Sequence, residues 1–152
     1  MASAFHWVRV KAVCYATENE DLIHDAMVAL IGKDDDDLFE ADISEGLHGN
    51  PITVIDAELT RSKDIAGMFT NLGKDVISDV LENIGDRVDD DCVLYLRVDK
   101  QRAVCGEYVI SHTGDVISIT AKIAAHPAKK DIAVRNAAEY LTRILSKDLS
   151  SE

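Results

Sequence analysis

The strongest constraint on the fold is a two-residue alternation of apolar and polar side chains. It predicts strands over Phe5 to Tyr15, Phe39 to Ser44, Pro51 to Leu59, Cys92 to Val98, Glu107 to Ser111 and Val116 to Ile123. Successive side chains of a strand point to opposite faces, so this period gives each strand one apolar face and one polar face. Such strands favour an antiparallel sheet that is covered on one side only.

Tight turns are predicted between two pairs of these strands. His48, Gly49, Asn50 and Pro51 form a structural turn between the second and third strands, in which Gly49-Asn50 supplies the tight bend. The segment from His112 to Asp115 closes a second hairpin between the last two strands. Both pairs of strands are therefore expected to be antiparallel neighbours.

Two helices are predicted near the ends of the chain. The first begins at a capping box formed by Thr17 and Glu20, because each side chain can satisfy a free backbone N–H at a helix start. Gly32 supplies its stop. Pro127 opens the last helix, whose apolar residues recur at a spacing of three and four.

A helical pattern also spans residues 65–84, between the two groups of strands. Gly67 and Gly73 interrupt it, which predicts a short helix, a break and a longer helix. The predicted order is β-α-β-β-α-α-β-β-β-α, an α+β fold with two layers: a mainly antiparallel sheet with helices on one face. We expect residues 1–152 to form a single domain.

Composition excludes a membrane-spanning chain. The longest uninterrupted apolar stretch, Ala26 to Gly32, has seven residues, whereas a helix needs about 20 to cross a bilayer. The amino terminus has no basic segment followed by an apolar one, so we expect no secretory signal, no membrane partner and a cytoplasmic location.

The sequence contains none of the common catalytic or metal-binding patterns. There is no G-x-S-x-G, P-loop, dinucleotide fingerprint or H-E-x-x-H. The three cysteines and five histidines are scattered, without a C-x-x-C pair or two histidines four residues apart. We therefore predict no catalytic residue, no metal and no cofactor, and we interpret the acid-rich segments Asp34 to Asp37 and Asp89 to Asp91 as solvated loops.

The negative charge is concentrated in the first part of the chain. The formal net charge is −12, but residues 1–60 carry 3 basic and 13 acidic side chains, residues 61–91 carry 4 and 8, and residues 92–152 carry 9 and 7. Phosphate binding depends on Lys and Arg displacing counterions, so the total charge argues against nucleic acid as a partner. The basic balance of the last segment still permits a local cationic surface.

The uncovered face of the predicted sheet is the first candidate for such a surface. If the apolar residues point inward, this face carries aromatic rings among cations: Trp7, Arg9, Lys11, Tyr95, Arg97 and Lys122. Bases stack on such rings while cations meet phosphates, as the binding of single-stranded or looped RNA requires. In the alternative interpretation these cations are neutralised in cross-strand pairs by Glu40, Asp42, Asp56 and Glu58.

Two further basic clusters lie outside the strands. Lys100, Gln101 and Arg102 follow a buried strand directly and offer phosphate and base-edge donors on a loop held by a rigid element. Lys129 and Lys130 fall in the predicted first turn of the last helix, where the macrodipole disfavours each cation by about 0.3–1 kcal/mol. Stability therefore does not explain this pair, whereas a phosphate bound near the helix start would.

Four motifs follow one another along nearly the whole chain: His48-Gly49-Asn50-Pro51, Arg87-Val88-Asp89-Asp90-Asp91, Leu96-Arg97-Val98-Asp99-Lys100-Gln101 and His126-Pro127-Ala128-Lys129-Lys130. In order and spacing they resemble an archaeal RNA-binding family described as predicted exosome subunits. The resemblance implies a fold similar to that of the 5S-rRNA-binding protein of the large ribosomal subunit. It also implies RNA binding and an association with the exosome or ribonuclease P.

The sequence departs from this family's pattern at three positions. Typical members carry a second histidine where this chain has Leu47, and an aromatic residue where it has Val98 and His126. Without paired histidines, the segment from His48 to Pro51 is better interpreted as a structural turn than as a chemical site.

These observations favour a non-catalytic RNA-binding protein that acts on structured or looped RNA through the sheet face and the two basic clusters. One alternative is a protein-interaction subunit of a ribonucleoprotein complex, which uses the same face and turns its acid-rich first half toward a basic partner. A second, weaker alternative is a metal-dependent RNA hydrolase.

Overall fold

The computed structural model describes residues 4–45, 51–111 and 114–150. Five strands form one open sheet: β1 (Phe5–Tyr15), β2 (Phe39–Glu45), β3 (Pro51–Leu59), β4 (Val93–Asp99) and β5 (Val116–Ile123). Their order across the sheet is β2-β3-β1-β5-β4, and every neighbouring pair is antiparallel. The predicted α+β class with a mainly antiparallel sheet is confirmed.

The helices form the second layer of the fold. They are α1 (Glu20–Ile31), α2 (Ser62–Leu72), α3 (Lys74–Glu82), α4 (Ile84–Arg87), α5 (Lys100–Val104) and α6 (Lys130–Ser150). Alternate residues of the inner strands are buried beneath this layer, as Val8, Val10 and Ala12 show in β1, whereas the residues between them are half-buried or exposed. No helix among the described residues is long and apolar enough to cross a membrane.

Three aromatic rings pack against one another between the sheet and the helix layer. The ring of Phe5 in β1 stacks on that of Phe69 in α2 with centroids 5.1 Å apart, and it meets the edge of Tyr140 in α6 at 5.2 Å. All three side chains are at most 4% exposed. Burial of a large apolar side chain contributes about 1.5–3 kcal/mol, so this contact is a substantial part of the attachment of α2 and α6 to the sheet.

The segment from 107 to 111 differs from the predicted strand. It forms an isolated bridge, Val98 to Ile110, in which the Asp99 N–H donates to the Val109 carbonyl at 2.9 Å. The chain instead makes helix α5 directly after β4, because the Asp99 carboxylate caps it by accepting from the Arg102 N–H at 2.9 Å. Lys100 to Arg102 are therefore helical and do not form the predicted loop.

Helix boundaries also move from their predicted positions. Asn19, not Thr17, caps α1, and its side-chain oxygen accepts from the N–H groups of Asp21 and Leu22. Helix α2 runs through Gly67 without interruption and is longer than α3, so the break falls at Gly73 alone, where φ is 88°. A glycine without special backbone geometry weakens a helix but does not end it.

The carboxyl-terminal helix begins later than predicted. Its first residue is Lys130, three positions beyond Pro127. The predicted turn at His48, Gly49 and Asn50 lies outside the described residues, as do His112 and Thr113 of the second turn. The strands on either side of the first turn do pair, with Glu45 opposite Pro51.

Gly32 provides a test of the helix-stop interpretation. It has φ 83°, its N–H donates to the Val28 carbonyl at 2.7 Å, and an added Cβ would lie 3.1 Å from Nδ2 of Asn71. We expect Gly32→Ala to lower the free energy of unfolding by about 1 kcal/mol or more, because alanine disfavours left-handed backbone. Gly67→Ala is the control and should raise it by about 0.5–1 kcal/mol. Urea unfolding measures both, and equal effects would contradict the assignment.

Candidate nucleic-acid interface

The face of the sheet opposite the helices, here called the open face, holds the outward side chains of the strands. The register arranges them in cross-strand rows. One row joins Val93, Lys122 and Trp7; the next joins Tyr95, Thr120, Arg9 and Glu58; the third joins Arg97, Ser118, Lys11, Asp56 and Glu40. All six cations and aromatic residues predicted for this face therefore share it.

Charge on the open face is divided between its two sides. The cationic half lies on β1, β5 and β4 and consists of Trp7, Tyr95, Arg97 and Lys122. The acidic half lies on β2 and β3 and consists of Glu40, Asp42, Asp56 and Glu58. Within the cationic half, the cross-strand neighbours of Tyr95 and Arg97 are Thr120 and Ser118, which carry no charge.

Arg9 and Lys11 lie on the border between the two halves. Arg9 pairs with Glu58 at 3.7 Å, and Lys11 is directly opposite Asp56. The alternative interpretation, in which cross-strand acids neutralise the cations of this face, therefore applies to Arg9 and Lys11. Arg9 also stacks its guanidinium 4.8 Å from the centroid of the Trp7 ring, which holds that ring on the open face.

Tyr95 is positioned by the acid-rich segment that precedes β4. The Asp89 carboxylate accepts hydrogen bonds from the N–H groups of Asp91 and Val93 and from the Tyr95 hydroxyl. Burial raises the pKa of Asp89, but these hydrogen bonds and the charge of Lys122 outweigh it and hold the pKa below its usual value. Lys122 donates to the Asp91 carbonyl. This segment is thus a support for two residues of the cationic half.

Beyond β4 a shallow cleft of about 340 Å³ borders the cationic half. Its lining includes Arg97, Tyr95, Arg87 and Ser111, together with the acidic residues Asp86 and Asp89. Arg87 donates from Nε to the Asn83 side-chain oxygen at 2.8 Å, which fixes the direction of its guanidinium. Arg87 was not among the residues predicted from the sequence, although it begins one of the quoted motifs. The reason is that the helical turn at Ile84–Arg87 was not predicted.

Lys100 does not belong to an RNA-facing surface. Its side chain is 1% exposed, and Nζ donates to the Val13 carbonyl at 2.7 Å and to Glu18 Oε1 at 2.7 Å. It also pairs with Asp115 Oδ1 at 2.8 Å. A cation so enclosed cannot reach a phosphate, so the predicted role of Lys100 is wrong.

Gln101 completes the arrangement around the buried ammonium group, here called the Lys100 cluster: Lys100, Gln101, Glu18 and Asp115. The Gln101 amide donates to Glu18 Oε2 at 2.9 Å and to Asp115 Oδ2 at 3.1 Å, so both of its donors are engaged. Arg102 points to solvent and pairs loosely with Glu107 at 3.5 Å. Gln101 and Arg102 are both exposed, but the Gln101 donors are engaged, so Arg102 is the one of the three predicted donors that is positioned to meet a phosphate.

Ion pairing sets the protonation of the Lys100 cluster. Burial lowers the pKa of Lys100, but hydrogen bonds with Asp115 and Glu18 outweigh it and raise the pKa above its usual value. Burial likewise raises the pKa of Glu18, and hydrogen bonds from Lys100, Tyr15 and Gln101 overcome it and lower that pKa. The hydrogen bond from Lys100 lowers the pKa of Asp115. All three groups are therefore charged at neutral pH.

The two predicted basic clusters lie at opposite ends of the sheet. Lys100 to Arg102 follow Asp99, which is opposite Val116 at the start of β5, whereas Lys129 and Lys130 come after Ile123 at its end. Eight residues of strand separate these ends, or about 23 Å. Lys129 and Lys130 are exposed and lie beyond the strand end that carries Lys122 and pairs with Trp7.

Comparison with known proteins shows the family. A family profile described as RNA binding matches residues 7–123, which include most of β1 and all of the other four strands. The chain belongs to this RNA-binding family. It is 34% identical over 143 residues to an RNA-binding protein of the archaeon Pyrococcus abyssi, with 90% of this chain and 93% of the relative covered.

Solved structures share the family fold. A DUF54 protein of Methanothermobacter thermautotrophicus superposes with a TM-score of 0.78 at 31% identity, covering 91% of this chain and 99% of that one. A second DUF54 protein, from Archaeoglobus fulgidus, gives 0.75 at 31% identity, covering 89% and 98%. The predicted archaeal RNA-binding family is therefore confirmed.

The acid-rich segments Asp34 to Asp37 and Asp89 to Asp91 are expected to bind no metal. Among the residues that the structure describes, no three histidine, cysteine, aspartate or glutamate side chains are grouped as ligands. Calorimetric titration with Mg²⁺ and Ca²⁺ is expected to show no binding tighter than about millimolar, since unstructured carboxylate clusters bind these ions weakly and Oδ1 of Asp89 already accepts from two backbone N–H groups. A saturable micromolar site would contradict this and support the hydrolase alternative.

Breaking the Lys100 cluster should destabilise the protein. Lys100→Met leaves Glu18 and Asp115 without their cation. We expect the free energy of unfolding to fall by about 2–3 kcal/mol. This loss is smaller than for a fully buried ion pair, because the Asp115 side chain is 44% exposed. Arg102→Ala, on the same helix, removes an exposed pair and should cost under about 1 kcal/mol. Chemical denaturation measures both, and equal losses would contradict a structural role for Lys100.

The same variant should change the response to acid. In the parent, the pKa values of Glu18 and Asp115 are lowered by folding, so both groups stabilise the fold at any pH above the usual pKa of a carboxyl group. This stabilisation is lost as the pH falls through the pKa values of the folded protein. Lys100→Met removes the main cause of both shifts. Its free energy of unfolding should therefore depend less on pH in that range.

Proposed function

We propose that this protein is a non-catalytic RNA-binding protein that holds single-stranded or looped RNA on the cationic half of the open face. The observation that carries the proposal is the arrangement of the open face: the rings of Trp7 and Tyr95 lie beside Arg97 and Lys122, while the acids within the sheet rows lie on β2 and β3. Asp89, at the margin of the cationic half, is engaged by hydrogen bonds from Tyr95 and from two backbone N–H groups. An RNA-binding relative that matches over nearly the whole chain supports RNA as the partner.

Each group in the cationic half has a distinct physical role in this proposal. The Trp7 and Tyr95 rings offer flat surfaces on which unstacked bases stack, worth about 1–3 kcal/mol per base. Both rings are pre-positioned, one by the Arg9 guanidinium and the other by the Asp89 carboxylate. Little side-chain entropy is therefore lost when a base arrives.

Cations around the rings would meet the phosphates. Arg97 and Arg87 flank the cleft beside β4, so a chain of nucleotides crossing Tyr95 would pass between them. Lys129 and Lys130 are exposed beyond the end of β5 and would supply further phosphate contacts. Lys100 and Gln101 have no part in this interface because their donors are engaged within the Lys100 cluster. Arg102 is exposed just beyond the end of β4 and would add a phosphate contact there.

We further propose that the protein acts as an accessory factor in archaeal RNA processing, in the context of the exosome or ribonuclease P, and that it works in the cytoplasm as a single domain. The resemblance of its four motifs to predicted exosome subunits supports this role.

Replacing Lys129 and Lys130 by alanine tests the phosphate contacts. We expect RNA affinity to fall and the slope of log affinity against log salt to become shallower by about 0.7 per lost single-strand contact. Thermal stability should be unchanged or rise by up to about 1 kcal/mol, because a cation leaves the positive end of α6. Fluorescence anisotropy with a labelled single-stranded RNA measures affinity and slope.

Two controls separate local contacts from overall charge. Lys63→Ala with Lys74→Ala removes the same charge from the exposed surface of the helix layer and should leave RNA affinity nearly unchanged. Trp7→Ala should lower affinity with little change in salt slope, because a stacking contact releases no counterions. Failure of the parent to bind any RNA at low salt would refute the proposal, and unchanged binding in the Lys129/Lys130 variant would remove that pair from the site.

A further inference from the structure

We propose that β2 is a docking edge for a protein partner, which adds a strand of alternating basic and apolar residues to the sheet. β2 is the terminal strand of the sheet and pairs with β3 on one side. Among the described residues, nothing pairs with its other side. An unpaired strand edge is a ready template for main-chain hydrogen bonds with an extended segment.

The two faces of β2 differ in chemistry. Glu40 and Asp42 point to the open face, beside Asp56 and Val54 of β3. Phe39, Ala41 and Ile43 point to the helix side, where Ile43 is nevertheless 78% exposed. An incoming strand would therefore meet acids on one face and apolar side chains on the other, in strict alternation.

The helix side of β2 forms an uncovered groove of about 410 Å³. Phe39, Ala41 and Ile55 make its apolar floor, and the ring of His24 from α1 packs 4.8 Å from that of Phe39. Glu20 and Asp21 at the start of α1 also line it, as does Glu40 at the edge of β2. Apolar side chains of the added strand would fill this groove, and basic side chains would be attracted by the acids on both sides.

The same charges argue against the other possible occupants. RNA would place phosphates against Glu40 and Asp42, which repel them. A second copy of this chain would pair β2 with β2, and an antiparallel two-fold arrangement brings the acids of both copies together on the open face. A basic and apolar strand from a different protein meets neither penalty.

A synthetic peptide of about nine residues that alternates Lys and Val provides the test. We expect the full-length protein to bind it and hydrogen exchange to slow at the backbone N–H groups of β2. A peptide of the same composition with its Lys and Val residues in two blocks should bind at least about tenfold more weakly, because it cannot satisfy both faces at once. Anisotropy of the labelled peptide and exchange-detected NMR give the two readouts.

Variants of exposed residues keep the test independent of folding. Ile43→Lys, and separately Glu40→Lys with Asp42→Lys, should each weaken peptide binding about tenfold. Asp79→Lys with Glu82→Lys makes the same charge change on the exposed face of α3 and should leave binding nearly unchanged. Circular dichroism confirms that each variant is folded.

Several outcomes would overturn the proposal. Equal binding of the two peptides, or protection elsewhere than β2, would show charge attraction alone. A dimer in sedimentation equilibrium that Ile43→Lys dissociates would identify a second copy as the occupant. Slowed exchange at β2 on addition of single-stranded RNA would assign this edge to RNA.

Discussion

Burial of one face of an antiparallel sheet is the constraint on which the rest of the structure depends. Residues such as Val10, Ile119 and Leu96 are at most 2% exposed, and their alternation with polar neighbours fixes the register of β1, β5 and β4. A slip by one residue would turn these side chains outward, so the register is strongly determined. The positions of the rings and cations on the open face follow from that register, because they are the residues in between.

The Lys100 cluster holds together the end of the sheet at which several segments converge. Its ammonium group ties the carbonyl of Val13 in β1 to Glu18, which precedes α1, and to Asp115, which precedes β5. A buried cation carries a large desolvation cost, and two carboxylates with the Tyr15 ring at 4.9 Å offset it. This explains why a lysine stands at the start of α5 without any contact with solvent.

The local pattern of apolar and polar residues was sufficient to predict the five strands, but not to predict which side chains meet over long distances in the sequence. The alternation predicted β1, β2, β3, β4 and β5, because burial on one face leaves a direct trace in the sequence. It failed at Glu107 to Ser111, where the segment makes one bridge at the edge of β4. Lys100 was misassigned because its partner Glu18 lies 82 positions away, and a sequence pattern gives the charge of a residue but not its neighbours in space.

A chain with a net charge of −12 can still present a surface to RNA, because electrostatic screening makes local charge decisive. At 0.1 M salt the Debye length is about 10 Å, roughly two strand spacings, so Arg97 and Lys122 on β4 and β5 are largely screened from Glu40 and Asp42 on β2. The acids of β3 act over a shorter distance and neutralise Arg9 and Lys11 at the border. In the proposed function, phosphates would therefore be attracted mainly to the half of the sheet that carries Arg97 and Lys122, and repulsion from the other half would orient a bound strand along β4 and β5.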